Sequence, residues 1–181
     1  LVHRETGRQV RFLGERNLWR IPVVRGLLDA VGAVPGTRAR AIALLRAGEL
    51  CCVYPGGIDD SWKLTGTERY RLQWGTRSGF AAVAVAADAP IVPVAALGID
   101  EMYDVVAREP IIGRALLGSP RYDLPLALGA YGTLIPRRVP QRYLVQPPID
   151  TSGAAEDPGL VERVRAATHA ALDAVLAQVR S

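Results

Sequence analysis

The sequence has 181 residues, 49% of them hydrophobic and 22% charged, so it can bury a real core and falls outside the disordered class. Its net charge of +4 rests almost wholly on arginine, Lys63 being the one lysine, and the arginines are scattered among carboxylates, a pattern that argues against a nucleic-acid-binding protein. The adjacent Cys51 and Cys52 provide no disulfide framework, which points to an intracellular, reducing compartment.

In chain order, residues 9–13 alternate like a short strand, and 18–31 are helical in pattern, with Pro22 in the first turn where its missing N–H does no harm. A short strand at Ala33-Val34 is cut by Pro35-Gly36. Thr37 then caps a helix over 38–47 whose apolar face is Ala41, Ile42, Leu44 and Leu45, and Gly48 ends it. A strand over 51–54 runs into a long loop, 55–77. Next come a helix over 78–87, with Phe80, Val83, Ala84 and Ala87 on one face, and a strand over 91–97. Residues 79–99 are apolar enough to suggest a membrane span, but Asp88 at their middle and the helix-breaking Pro90 and Pro93 rule it out.

Beyond Gly98 the pattern predicts short helices at 99–106 and 110–117, an irregular apolar segment over 120–136 and a last strand at 141–145. A polar linker, 153–158, leads to a final helix over 159–179 with a stripe of Val161, Val164, Thr168, Leu172, Val175 and Val179. The alternation of strands and helices predicts a single α/β domain over 1–181. Its central sheet is expected to be mostly parallel, flanked by helices on both faces, with 51–54 and 91–97 as buried strands.

Two short blocks carry chemical information. Tyr54-Pro55-Gly56-Gly57 closes a strand with a turn whose glycines allow close backbone approach to a substrate, and Pro90-Ile91-Val92-Pro93 opens a second apolar strand after the intervening helix. Either block alone is most simply a strand-closing turn or core. Together they resemble two blocks of the glycerolipid acyltransferase superfamily, in its lysophosphatidate and diacylglycerol acyltransferase-like members, over residues 9–100.

The resemblance implies an O-acyltransferase that moves a fatty acyl group from acyl-CoA or acyl-carrier protein to a hydroxyl of a glycerolipid or other lipid alcohol. It implies no cofactor, a membrane surface as partner, and a place on the cytoplasmic face, peripheral or anchored by an N-terminal segment. It assigns substrate binding to Arg38, Tyr54, Pro55, Gly56 and Gly57, with N–H groups of the turn facing a substrate oxygen, and the acyl-donor pocket to Pro90, Val92 and Pro93. Gly56 and Ile58 stand where phosphate-handling relatives have glutamate and threonine, a version similar to the diacylglycerol acyltransferase branch, which slightly favours a neutral acceptor. Arg38 opens a helix and is either a solvated first-turn arginine or a holder of acceptor phosphate.

The family's catalytic His-x4-Asp is not supplied by either histidine. His3 meets Arg8 at the required offset, and His169 has Asp173 one position too soon, near the other end of the chain. No catalytic residue is therefore assigned within the chain, and the pair is expected upstream of Leu1, the sequence being read as N-terminally incomplete. The alternative is a catalytically inactive lipid-binding relative. An unrelated hydrolase or nucleotide-binding domain lacks its glycine-rich or Gly-x-Ser-x-Gly signature here.

The remaining reactive residues have plainer readings. Asp59-Asp60-Ser61-Trp62 is expected to be a solvated loop rather than a metal site. Trp62, Tyr70 and Trp74, interleaved with Arg69 and Arg71, either pack the loop onto the domain or meet a lipid interface. Cys51 and Cys52 lie on opposite faces of a strand as small buried residues, and His169–Asp173 is expected as a surface i,i+4 pair. Leu116-Leu117 and residues 124–128 are candidates for a membrane-facing, acyl-chain or core surface.

Overall fold

A computed structural model describes residues 6–57, 60, 63–109, 124–153, 157 and 159–180. His3, Ile58, Asp59, Ser61, Trp62, Leu116, Leu117 and the expected helix at 110–117 lie outside the described residues. The fold is mixed α/β. The chain falls into two compact units, one of Leu1–Pro55, Thr76–Ile91 and Ile149–Ala166, the other of Gly56–Gly75, Val92–Pro148 and Ala167–Ser181.

The first unit is built on a parallel three-stranded sheet of β1 (Val10–Gly14), β2 (Val34–Pro35) and β3 (Leu50–Cys52), in the order β2-β1-β3. Leu13 pairs with Val34 on one edge of β1, and Val10 to Phe12 pair with Leu50 to Cys52 on the other. The expected strand at 51–54 is thus shifted: it starts at Leu50 and stops at Cys52, three residues before Pro55, which has no N–H with which to prolong a ladder. It is also half-buried rather than buried.

The expected helix at 18–31 divides in two. Residues 16–20 form a 3-10 turn capped by Glu15, and α1 (Pro22–Ala30) begins at the proline, because Ile21 before it is pushed into the extended region (φ −96°, ψ 111°). Trp19 Nε1 donates to Asp29 Oδ1 (2.9 Å), tying the two pieces together. Thr37 caps α2 (Arg38–Arg46) as expected, its hydroxyl accepting from Arg40 N at 3.3 Å, and Gly48 supplies the left-handed turn that ends it (φ +84°). Only Ala41 of its apolar face is buried. In α3 (Gly79–Ala87) the buried pair is Ala81 and Ala84, and Ala81 packs with Leu160 and Val164 as the centre of this unit's core, flanked by Phe80, Val85, Ile91 and Val161. Burying a leucine or valine in this way is worth about 1.5–3 kcal/mol.

The second unit contains two antiparallel pairs. β4 (Val94–Leu97) pairs with β7 (Arg142–Val145), and β5 (Asp104–Glu109) with β6 (Leu124–Leu128), the latter interrupted by an irregularity between Val105 and Ala107. The expected strand at 91–97 is shortened at its start. Ile91 makes only an isolated bridge to Ile149, and regular pairing starts after Pro93, at a strand that pairs with β7 rather than joining the parallel sheet. Nor is it uniformly buried, since Ala95 is covered and Val94 is exposed.

The expected helix at 99–106 is corrected to a 3-10 turn at Ile99–Glu101 followed by β5. Gly98 turns the chain in a left-handed conformation (φ +90°), and the β-branched Val105-Val106 then suits a ladder. The expected irregular stretch over 120–136 contains β6. The last helix, α4 (Leu160–Arg180), buries Leu160, Val164, Thr168 and Leu176, a face turned from the expected stripe, with Val179 at the surface. Among the described residues no helix is long and apolar enough to cross a membrane.

A candidate active-site turn and the polar network behind it

Tyr54 and Pro55 end one stretch of the first unit, and Tyr54 is exposed. Gly56 and Gly57 begin the second unit, and they differ sharply. Gly57 has φ +59°, a conformation that glycine takes without strain, and among the described residues nothing lies within 4 Å of where a Cβ would stand. Gly56 is buried, and a Cβ there would stand 2.3 Å from Asp60 Oδ2. Its N–H donates to that same oxygen at 3.1 Å, so this donor is held by the protein and does not face outward to a substrate.

Asp60 is consequently no solvated loop carboxylate. Its side chain is only 9% exposed, Oδ1 accepts from Gln73 N at 2.8 Å, and Lys63 Nζ lies 4.0 Å away. Lys63 also lies 3.5 Å from Asp100 Oδ2, which accepts from Tyr70 N at 2.8 Å. Two carboxylates thus balance the partly buried ammonium, which would otherwise be costly to desolvate. Tyr70, itself in the left-handed region (φ +57°), donates its hydroxyl proton to Glu101 and accepts from Gly98 N at 3.2 Å. The network fastens the loop behind Gly56 to the turn that follows β4.

Burial first, and then the hydrogen bond to Glu101, pushes the Tyr70 hydroxyl up to about 12. A raised folded-state value means that the native state keeps its proton where the unfolded chain has lost it. That contribution to stability is complete below the ordinary tyrosine value near 10 and is lost as pH rises toward 12. Thermal midpoints taken across that window should fall for the wild type and fall less steeply for Tyr70→Phe. Equal slopes would remove Tyr70 as the titrating group.

The same loop is pinned a second time. Asp104 at the start of β5 accepts from Arg69 at 2.8 Å and from Arg137 at 2.5 Å, and the Arg137 hydrogen bond chiefly holds the Asp104 carboxyl below the usual range. Thr65 N donates to Val105 O at 3.1 Å, and Val105 N to Thr65 Oγ1 at 3.0 Å. Trp74 is 2% exposed and its ring meets that of His169 at 5.2 Å. Of the three loop aromatics, Tyr70 and Trp74 therefore pack, and Trp62 lies outside the described residues.

Arg38 is the exposed first residue of α2, in the first unit. Pro90 is exposed in the first unit. In the second, Val92 is exposed and Pro93 buried, with the Pro93 carbonyl accepting from Gln146 N at 2.9 Å. Arg8 uses its guanidinium on the Gly48 and Glu49 carbonyls (2.6 and 3.3 Å), a structural task at the end of α2. Burial pushes both cysteine thiols up, away from the thiolate needed for attack. His169 and Asp173 are not hydrogen-bonded to each other: Asp173 binds Arg180 at 2.8 Å, the His169 ring lies tilted at 45° against Trp74, and the histidine touches the carboxylate only through its charge. They line, with Arg71, Leu72 and Arg180, an open cavity of about 390 Å³ that none of the turn residues reaches. Among the described residues no cluster of three or more acidic, cysteine or histidine groups is arranged to hold a metal.

Sequence reasoning missed the roles of Asp60, Lys63, Asp100 and Glu101. A single lysine in an arginine-rich chain, three residues after an aspartate, was the available signal.

A sequence profile of the acyltransferase family matches residues 1–97. A human "DGAT1/2-independent enzyme synthesizing storage lipids" is 31% identical over 168 residues, 92% of this chain and 49% of that protein. Its Bos taurus counterpart is 30% identical over 92% of this chain and 47% of its own length. An uncharacterised protein of Mycobacterium tuberculosis is 33% identical over 83% of this chain and 43% of its own. The chain thus spans about half the length of the curated relatives it matches. The crystal structure of PlsC, a 1-acyl-sn-glycerophosphate acyltransferase from Thermotoga maritima, superposes with a TM-score of 0.48 at 16% identity, covering 91% of this chain and 56% of that one.

Proposed function

Since the chain belongs to the acyltransferase family, we propose that it is the part of an O-acyltransferase that presents a lipid alcohol to an acyl thioester. The observation that carries this reading is the turn at Gly57, where a left-handed glycine leaves space that no other described residue fills, beside a backbone that a buried carboxylate holds in place. The relatives named for storage-lipid synthesis, and Gly56 in place of a carboxylate residue, favour a neutral glycerolipid acceptor. The donor is acyl-CoA or acyl-carrier protein, and the hydroxyl attacks the thioester carbonyl directly, without an acyl-enzyme. Both cysteine thiols, held up by burial, are poor nucleophiles.

In this reading residues 1–181 act as one acyltransferase-like domain at the cytoplasmic face of a membrane. Tyr54 to Gly57 receive the acceptor, and Pro90, Val92 and Pro93 shape the acyl-donor side. Deprotonation of the acceptor is assigned to neither His3 nor His169. His3 has Arg8 where a carboxylate is needed, and His169 is packed on Trp74.

Residues 1–181 alone should show no thioester-dependent acylation, whereas a chain in which a His-x4-Asp segment precedes them should be active. In the active form Gly57→Val should lower turnover by filling the open space, and Arg38→Ala should weaken only phosphorylated acceptors. Acylation assays on a neutral and a phosphorylated glycerolipid check this. Equal turnover of Gly57→Val and wild type on both would take the turn out of the site. Activity of residues 1–181 alone that disappears in His169→Ala would return that histidine to the chemistry.

A further inference from the structure

Within the second unit, the segment after β6 folds back on itself and holds its largest apolar side chains outward. Tyr131 is 100% exposed, Leu134 80% and Ile135 63%. Such residues ordinarily collapse onto the protein. Here the backbone prevents it. Gly129 N donates to Thr133 O (2.6 Å), Ala130 N to Ile135 O (2.7 Å) and Thr133 N to Ala130 O (3.0 Å). The Thr133 hydroxyl donates to Ala130 O (2.8 Å) and accepts from Ile135 N (3.1 Å), and Tyr103 OH donates to Leu134 O (3.0 Å). A Cβ at residue 129 would stand 1.9 Å from Ile135 O, so the closure needs glycine there.

These hydrogen bonds matter for what the loop can enter. Backbone groups already paired within the loop lose little on leaving water, which is the condition for lying in a low-dielectric interface. The side chains fit such a place as well. Leucine and isoleucine enter the apolar layer, and a tyrosine ring settles at headgroup depth. Exposed Arg138 and Arg142 follow in sequence, whereas Arg137 between loop and strand is committed to Asp104. Apolar tips followed by uncommitted arginines complement an anionic bilayer surface.

We propose that the loop over 129–135 is a membrane-docking element whose Tyr131, Leu134 and Ile135 enter an anionic lipid surface, with Arg138 and Arg142 on headgroup phosphates. The choice of lipid as partner rests on the acyl-transfer reading above; the loop's construction does not.

Flotation of the full chain with extruded vesicles, of phosphatidylcholine alone or with phosphatidylglycerol, tests the proposal. The wild type should float with both and more strongly with the anionic mixture. Leu134→Asp with Ile135→Asp should lower partitioning on the order of 100-fold, from the transfer free energy of two large apolar side chains. Arg138→Glu with Arg142→Glu should remove the preference for phosphatidylglycerol. Val23→Asp with Leu27→Asp, on the exposed face of α1, should leave binding unchanged. Tyr131→Trp, a variant that adds no charge, should shift its fluorescence to the blue on addition of vesicles.

A wild type that floats with neither vesicle, undiminished binding of the loop variant, or a loss that follows α1 instead would overturn the proposal. So would fluorescence of the Tyr131→Trp variant that vesicles leave unshifted. Acyl transfer to a dispersed short-chain acceptor, by the form in which a His-x4-Asp segment precedes residues 1–181, separates the two claims. If that form is active but ignores vesicles, the docking loop falls and the acyl-transfer reading stands; if it docks through the loop but never transfers acyl groups, the reverse holds.

Discussion

Gly56→Ala is expected to destabilise the protein by about 2–4 kcal/mol, the loss of two backbone hydrogen bonds to one charged acceptor. The added methyl would stand 2.3 Å from Asp60 Oδ2 and 2.9 Å from Asp60 Cβ, so rotation of the carboxylate alone cannot relieve it. Asp60 must leave, and with it go the bonds to Gly56 N and Gln73 N and the balance of charge on Lys63. Urea denaturation of Gly56→Ala, Asp60→Gly and the double variant decides the matter. If the clash is the cause, the double variant should be scarcely worse than Asp60→Gly, which removes Cβ as well as the carboxylate, a coupling of well over ~1 kcal/mol. Simple additivity would show that the two residues do not meet. Gly57→Ala offers the contrast, since a methyl there meets none of the described residues and its expected cost, roughly 1–2 kcal/mol, is that of the left-handed backbone.

Trp74→Ala should cost about 3–5 kcal/mol, the range for emptying the site of a large buried aromatic. Trp74 is 2% exposed and lies at the end of the loop that Asp60, Lys63 and Arg69 fasten, so its removal leaves a void that a pinned backbone cannot collapse to fill. Trp74→Phe should recover much of the loss. His169→Ala, which removes the ring at 5.2 Å, should cost only about 0.5–1.5 kcal/mol. Denaturation midpoints at constant slope measure all three. A Trp74→Ala protein within about 1 kcal/mol of wild type would mean that the loop is not anchored there.

The legible parts of this chain were those in which local chemistry decides structure. Thr37 before an apolar helix, Gly48 after it, and Pro22 at the first position of α1 each fix a boundary through one backbone group. The mixed α/β character followed from alternating strands and helices. What escaped were pairings between residues far apart in sequence. Val94–Leu97 has an apolar run that suits a buried parallel strand equally well, and only its antiparallel partner at 142–145 distinguishes them.

Ile99–Val106 looked helical because its apolar spacing cannot reveal that residues 124–128 wait to pair with 104–109. At the candidate site the Gly56-Gly57 turn was legible, but the division of labour inside it was not. Both are glycines, and only Asp60, four positions on, makes one a buried packing position and the other an open one. Leu134 and Ile135 were hidden within an apolar segment, since composition does not say which apolar residues a hydrogen-bonded loop will hold outward.

Lys63 has one more consequence. It is the one lysine in the 181 residues, its side chain is 12% exposed, and it is gripped by Asp60 and Asp100. An amine-reactive reagent or a lysine-specific endoprotease therefore has a single side-chain target in this sequence, and that target is shielded while the loop is closed. The rate of modification at Lys63 reports how often the grip of Asp60 and Asp100 on its ammonium is released, one residue serving as a built-in clock for that clasp.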